Sequence, residues 1–263
     1  MSPRPAAPRA VLVTGAARGI GAATVAALVG AGWSVVATDR CADDPRLCYS
    51  LGTGEDLLAL AGPSVIPVLA DTTDATALAR AVRTAEEEFG GLDAVVAAAG
   101  VVAGGVPLWK MPDEELEAVL QVDLGGVLTA ARVGIPALLR RPTPRCGRFV
   151  AVASTAATRG LPLLAAYCAA KAGVLGLVRA LAVELRGSGV TANAVSPGST
   201  DTPVLAESAR LYGLPGASAF AHQQPIERLV EPREVAAAIA FLLSAEAAAI
   251  TGAVLAVDGG LAV

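Results

Sequence analysis

The chain has 263 residues, long enough for one large α/β domain or two small ones with a substantial core, and 54% are hydrophobic while only 3% are aromatic, so alanine, valine and leucine must fill that core. A net charge of −4, with no basic cluster interleaved with aromatics, argues against a nucleic-acid surface, and no apolar run of membrane length escapes interruption by Gly, Pro or charge. Four scattered cysteines (Cys41, Cys48, Cys146, Cys168) and one histidine, His222, show no metal-ligand spacing, so free thiols, a reduced cytoplasmic setting and no metal are expected.

Met1 to Pro8 is proline-rich and reads as a loose N-terminal tail, taken to residue 9, rather than a signal peptide. Ala10 to Thr14 is a short apolar strand. Gly15-Ala-Ala-Arg-Gly19-Ile-Gly21 follows at once and opens a helical pattern over Ala22 to Ala31. Strand, glycine loop and helix in that order let a backbone approach a pyrophosphate, with free N–H groups and a positive dipole end beneath it. Ser34 to Thr38 is the second strand and ends in Asp39, where a dinucleotide fold places the acid for the adenosine ribose. That carboxylate favours NAD over NADP; Arg18 and Arg40 pull the other way, since each can pair with a 2′-phosphate.

Cys41 to Glu55 lacks periodicity and reads as a loop longer than an ordinary βα connection. A short helix is expected over Asp56 to Ala61 and a third strand over Val65 to Leu69. Asp71 and Thr72 then stand at a strand's C-terminal edge, as ligand contacts or, for Asp71, as a helix cap for the following Asp74 to Phe89 helix. Asp93 to Ala97 is the fourth strand and runs into Ala98-Ala99-Gly100. One long helix is expected over Pro112 to Leu139, carrying Val122, Asp123 and paired glycines.

Arg148 to Ala153 is the fifth strand, with Ser154 at its end. The Leu164 to Arg186 helix carries Tyr167 and Lys171, one turn apart on one face. The chain has only three tyrosines and only Lys110 besides Lys171. An ammonium there favours phenolate, so the phenol's pKa is expected to be held down toward working pH. Thr191 to Val195 is the sixth strand, opening Pro197-Gly198-Ser199-Thr200-Asp201-Thr202. Ser199 to Arg228 is expected as a loop roofing a substrate pocket with Leu205, Leu211, Tyr212, Leu214 and Phe220. A helix over Pro232 to Ser244 and a strand over Ala253 to Val257 complete the alternation. The pattern predicts a single Rossmann-type domain over 10–263, a doubly wound parallel sheet of about seven strands with helices on both faces.

Taken together, Thr14-Gly15-x-x-x-Gly19-x-Gly21, then Ser154, Tyr167 and Lys171, then Asn193 before Pro197-Gly198, and a final Asp258-Gly-Gly resemble the short-chain dehydrogenase/reductase family over nearly the full length. The resemblance implies NAD-dependent interconversion of an alcohol and its carbonyl compound in a homotetramer or homodimer. It implies that Tyr167 is the acid/base, that Ser154 orients the substrate oxygen and that Lys171 holds the nicotinamide ribose. Gly15, Arg18, Gly19, Ile20, Gly21, Asp39, Arg40, Asp71, Thr72, Ala98, Gly100, Val122, Pro197, Gly198, Thr200 and Thr202, with Tyr167 and Lys171, become the cofactor contacts. Two departures stand out: Ala97 replaces an asparagine that ties strands together, and Asp123 replaces the asparagine of the family's proton relay, where it is expected to keep a catalytic place beside Ser154, Tyr167 and Lys171 and, when ionised, to raise the Lys171 pKa. The long loop after Asp39 is similar to that of mycofactocin-coupled members, which implies retained NAD recycled in place. A lipophilic secondary alcohol fits the apolar roof. Two rival readings are dehydratase or epimerase chemistry on the same fold, and a non-catalytic dinucleotide-binding protein.

Overall fold

Strands without polar alternation need cover on both faces, and the computed structural model, which describes residues 9–263, provides it. The expected N-terminal tail lies outside the described residues except for Arg9, whose guanidinium sits 4.1 Å from the Trp33 ring centroid. Strands β1 (Ala10–Thr14), β2 (Ser34–Asp39), β3 (Val65–Leu69), β4 (Ala94–Ala97), β5 (Gly147–Val152), β6 (Val190–Pro197) and β7 (Val254–Val257) form one parallel sheet in the order β3-β2-β1-β4-β5-β6-β7. The helices are α1 (Gly19–Gly30), α2 (Gly54–Leu58), α3 (Ala75–Phe89), α4 (Asp113–Leu120), α5 (Gly126–Arg140), α6 (Ala165–Glu184), α7 (Pro203–Leu211) and α8 (Pro232–Leu243).

Alternate side chains on a strand point to opposite faces. Leu12 and Val36 therefore join a core with Leu78, Leu138 and Val178 of α3, α5 and α6. Val11, Val13 and Val35 join a second core with Leu28, Val235 and Ile239 of α1 and α8. This is the doubly wound arrangement expected. The stretches Asp113–Arg140 and Ala165–Glu184 are long and apolar enough to cross a membrane on length and composition, but Leu138 and Val178 spend that apolar character on the sheet.

The chain walks outward from β1 to β3 and then returns to place β4 on the other side of β1, with Val11 opposite both Val35 and Ala94. Strand order thus reverses between β1 and β4. Diverging loops leave a crevice beyond the strand ends there. Across that crevice Thr14 compensates for the missing asparagine at position 97, because its hydroxyl oxygen accepts from the Ala98 and Ala99 amides at 3.2 and 3.3 Å.

Three expectations need correction. The single helix over Pro112 to Leu139 is interrupted by a π-helical turn over Gln121–Gly125, between α4 and α5. The extra residue shifts the apolar register by one position, and it falls where Asp123, Gly125 and Gly126 interrupt the apolar pattern that would display the shift. The Ser199 to Arg228 segment is not all loop: it holds α7 and a 3₁₀ stretch over Ala217–Gln223. Thr202 caps α7, its hydroxyl accepting from the Leu205 amide, and Pro203 fills the first turn, where no N–H is needed. The short helix expected over Asp56 to Ala61 begins earlier, because Thr53 and Asp56 exchange bonds in a capping box ahead of Gly54–Leu58.

Asn193, fully buried in β6, donates to the Ile250 carbonyl at 2.8 Å and accepts from the Ala253 amide at 3.1 Å. It holds the approach to β7. Replacing it by alanine strands two buried backbone groups, so Asn193→Ala should cost about 1–3 kcal/mol. Chemical denaturation should show a lower midpoint with unchanged absorbance of the folded protein.

Candidate active site

A cavity of about 660 Å³ opens at the C-terminal ends of the strands. Its floor begins with the glycine loop after β1. Gly15 has φ +67°, and a Cβ there would lie 2.6 Å from the Ala99 Cα; a Cβ on Gly21 would overlap the Gly15 carbonyl oxygen. Only glycine permits this approach of loop, β4 and helix. No side chain caps α1, so its first-turn amides face the cavity rim unclaimed by side chains. At the end of β2 the Asp39 carboxylate accepts from the Ala17 amide of that loop at 3.1 Å and from the Cys41 amide at 3.2 Å. A glycine cradle, a helix N-terminus and an acid so placed match the needs of a dinucleotide's pyrophosphate and ribose.

The loop after Asp39 is a strap with several anchors. The Tyr49 hydroxyl accepts from the Val102 amide at 3.0 Å, and Arg18 donates to the Ser50 carbonyl at 2.7 Å. Arg46 reaches Gln121 at 2.8 Å, while Leu47 and Leu51 pack on a core containing Val101, Val119 and Val122. Asp44, buried beneath, pairs with Arg40 at 3.0 Å and with Arg46 at 2.8 Å. Hydrogen bonding from Arg46, aided by both positive charges, holds its carboxyl well below the usual carboxylate range. Burial, then the charge of Asp39, pushes the Cys41 thiol up to about 11, so it stays protonated.

Asp71 does not cap α3; Asp74 does, accepting from the Thr76 and Ala77 amides. The Asp71 carboxylate accepts from the Thr73 amide at 2.8 Å and stands 3.7 Å from Arg40. All the expected dinucleotide contacts line the one cavity: Gly15, Arg18, Gly19, Ile20, Gly21, Asp39, Arg40, Asp71, Thr72, Ala98, Gly100, Val122, Pro197, Gly198, Thr200 and Thr202.

Ser154, Tyr167 and Lys171 line it too. Ser154 sits where β5 ends in extended backbone, its oxygen accepting from the Ala156 amide at 3.1 Å. From α6 the Lys171 ammonium donates to the Val152 carbonyl at 3.2 Å and lies 5.6 Å from the Tyr167 ring centroid. Asp123 does not line the cavity. The π-turn buries it completely behind Lys171, 3.4 Å from the ammonium, with one oxygen accepting from the Val101 amide at 3.0 Å and the other without a hydrogen-bond partner. Gly100 is packed against this pair: a Cβ there would lie 2.8 Å from Asp123 Oδ1 and 3.3 Å from Lys171 Nζ.

Burial pushes the Tyr167 phenol above its ordinary pKa; Lys171 pulls it down, Asp123 pushes it up again, and Ser154 pulls it down. The expected downward pull of Lys171 exists, but burial outweighs it. Burial also lowers Lys171, yet the negative charge of Asp123, then Tyr167, carries it above its ordinary value, so the ammonium stays charged. Asp123 itself is raised because desolvation exceeds the attraction of Lys171. An acid in a simple ion pair would move down. With one oxygen unpartnered, this one does not.

Of the expected roof, Leu205, Tyr212, Leu214 and Phe220 line the cavity. Leu211 does not; it faces a separate cavity of about 330 Å³ with Glu207 and Arg210. Arg159, Leu161 and Leu261 also line the main cavity and belong to no motif. Among the described residues, His, Cys, Asp and Glu form no cluster suited to a metal, all four cysteines are free, and His222 lies outside the cavity lining.

A family model described as Enoyl-(Acyl carrier protein) reductase matches residues 15–262. The cis-4-hydroxycyclohexanecarboxylate dehydrogenase of Sinomonas cyclohexanicum is 41% identical over 256 residues, covering 97% of this chain and 96% of its own. Among solved structures, carveol dehydrogenase from Mycobacterium avium in complex with NAD aligns with a TM-score of 0.89 at 32% identity, covering 97% of this chain and 98% of its own. The 3-ketoacyl-(acyl-carrier-protein) reductase from Brucella melitensis, complexed with NADH, gives 0.84 at 29% identity with the same coverage.

Because Asp123 raises the Tyr167 pKa, removing its charge should lower it. In Asp123→Asn the phenol should titrate at lower pH than in the parent protein, read by carbon-13 NMR of labelled tyrosine; an unmoved or higher titration contradicts the assigned coupling.

Proposed function

The chain belongs to the short-chain dehydrogenase/reductase family, and we propose that it interconverts a lipophilic secondary alcohol and its carbonyl compound with NAD. The observation that carries this reading is the convergence of Ser154, Tyr167 and Lys171 on the cavity that also holds the glycine loop and Asp39. Gly15, Gly19, Gly21 and the start of α1 would hold the pyrophosphate, Asp39 the adenosine ribose, and Lys171 the nicotinamide ribose. Pro197, Gly198, Thr200, Thr202, Ala98, Gly100 and Val122, which line the same cavity, would complete the cofactor's contacts. When bound, the nicotinamide supplies a hydride acceptor in oxidation and a hydride donor in reduction.

The chain's own residues manage the proton. Ser154 holds the substrate oxygen through its hydroxyl. In oxidation the carbinol O–H proton passes to the Tyr167 phenolate while the carbinol C–H electron pair leaves as hydride; in reduction both steps reverse. Lys171 stabilises the phenolate by charge, and Asp123, through Lys171, sets how strongly. An intact Ser154, Tyr167 and Lys171 favours redox chemistry over dehydratase, epimerase or purely binding roles.

The preference for NAD over NADP draws support from Arg40, one of the two arginines that could have read a 2′-phosphate, which is engaged by Asp44 and Asp71. Arg18 donates to the Ser50 carbonyl and keeps its other donors free. Asp39 meanwhile keeps a carboxylate at the ribose position. The strap favours a cofactor retained between turnovers and reoxidised in place, with mycofactocin as the electron acceptor. Residues 10–263 act as one domain, with 199–228 forming the substrate wall, and the family favours a cytoplasmic homotetramer or homodimer. Relatives named for alicyclic alcohols and the cavity's Leu161, Leu205, Leu214 and Phe220 support a ring-bearing substrate.

Tyr167→Phe should lower turnover by about 10²–10⁴-fold, the range for loss of a positioned acid/base, while NADH binding followed by its dihydronicotinamide fluorescence persists. An unchanged rate overturns the role of Tyr167. Purified protein should also carry NAD through gel filtration, as detected by mass spectrometry of the denatured eluate. Asp44→Ala, which removes the shared partner of Arg40 and Arg46, should release it. Free NAD exchange in the parent protein overturns the retained-cofactor reading but not the redox one.

A further inference from the structure

Four cations line the main cavity. Arg40 pairs with Asp44 and Lys171 with Asp123, whereas Arg18 and Arg159 have no carboxylate partner among the described residues and each donates to one backbone carbonyl, Arg18 to Ser50 at 2.7 Å and Arg159 to Leu261 at 2.5 Å. Arg18 belongs to the glycine loop at the dinucleotide end, which leaves Arg159 as the cation of the substrate half. Among the described residues, the acids lining the cavity are Asp39 and Asp71, at its dinucleotide end. The substrate half therefore holds no anion and one guanidinium without an acid partner, with Leu161, Leu205, Leu214 and Phe220 making its walls mostly apolar beside Ser208, Tyr212 and Gln223.

That guanidinium is held in place. The buried Asp258 carboxylate accepts from the Gly260 and Ala262 amides at 3.0 and 3.1 Å, and its carbonyl accepts from the Leu261 amide at 3.0 Å. These turns present the Leu261 carbonyl to Arg159. A single carbonyl uses one of five guanidinium donors and leaves the planar fork free for a bidentate carboxylate. Arg159 is exposed at the cavity mouth, whereas Lys171 is only 3% exposed at its floor. An anion bound by Arg159 thus stands apart from the buried Lys171, beside which the carbinol reacts.

We infer that Arg159 makes this enzyme selective for a secondary alcohol bearing a carboxylate remote from the carbinol, the apolar walls holding the carbon skeleton between them. The inference rests on the redox reading of the same cavity. A 2-hydroxy acid, with its two groups on adjacent carbons, does not satisfy both ends.

The test compares kcat/KM for 4-hydroxycyclohexanecarboxylate and its methyl ester, with a dye as electron acceptor so that retained NAD does not limit turnover. The parent protein should favour the acid by about tenfold or more, as a charge-assisted bidentate pair provides, and added salt should erode that ratio. In Arg159→Ala the ratio should fall to about one, with Arg159→Lys between, since lysine keeps charge but not the fork. An acid-to-ester ratio near one in the parent protein, or a ratio unmoved in Arg159→Ala, overturns the inference. Should neither compound turn over in any variant, the redox reading fails instead. Calorimetric binding of cyclohexanecarboxylate then decides the arginine: binding lost in Arg159→Ala supports the assignment, and equal binding overturns it.

Discussion

A buried ammonium must be paired, and the pairing of Lys171 is the point on which the site depends. Taking a charge out of water costs several kcal/mol unless partners surround it. Lys171 finds them on three separate elements: the Val152 carbonyl at the end of β5, the Asp123 carboxylate in the π-turn, and the Tyr167 ring one turn away on α6. Each partner belongs to a different part of the chain, so holding the lysine also fixes the mutual placement of strand end, turn and helix. Gly100 belongs to the same constraint, because any side chain there meets both members of the pair.

The nucleotide half follows another electrostatic rule. There Arg40 and Arg46 are matched by Asp44, and Arg18 donates to the strap's backbone at Ser50. The Asp39 carboxylate instead accepts two backbone amides and has no cation paired with it. A neutral ribose suits such a place better than a phosphate. In the substrate half the balance is reversed, with Arg159 left unmatched. The acids of the cavity therefore stand in its nucleotide half, while the substrate half carries a cation and no acid.

Much of this was legible in the sequence because it is local. The strands read as strands since burial on both faces leaves unbroken aliphatic runs, and Tyr167 and Lys171 declared a shared face by their spacing alone. The glycine loop was readable because only glycine tolerates its close approaches. The π-turn at Asp123 was not, since its register shift falls where Asp123, Gly125 and Gly126 interrupt the apolar pattern. Nor was α7, whose start signal, Thr202-Pro203, lies in a stretch dense in glycine and proline. The strap's length could be seen but not its anchors, because Val102 lies 53 residues beyond Tyr49 and Gln121 lies 75 beyond Arg46. Arg159 carries no motif, and the carbonyl that holds it is 102 residues further along.

The anchoring of the strap bears on the timing of ligand capture. Fixing a residue's backbone costs about 1–2 kcal/mol of conformational entropy. Because Tyr49, Arg46 and Leu51 are secured by protein partners, that ordering is completed during folding rather than at the moment of encounter. A preorganised cover forgoes the disorder-to-order penalty that weakens many flexible clamps. Where such a cover lies across a ligand's path, association and dissociation slow together while affinity is preserved. A barrier of that kind separates how tightly a ligand is held from how often it is exchanged.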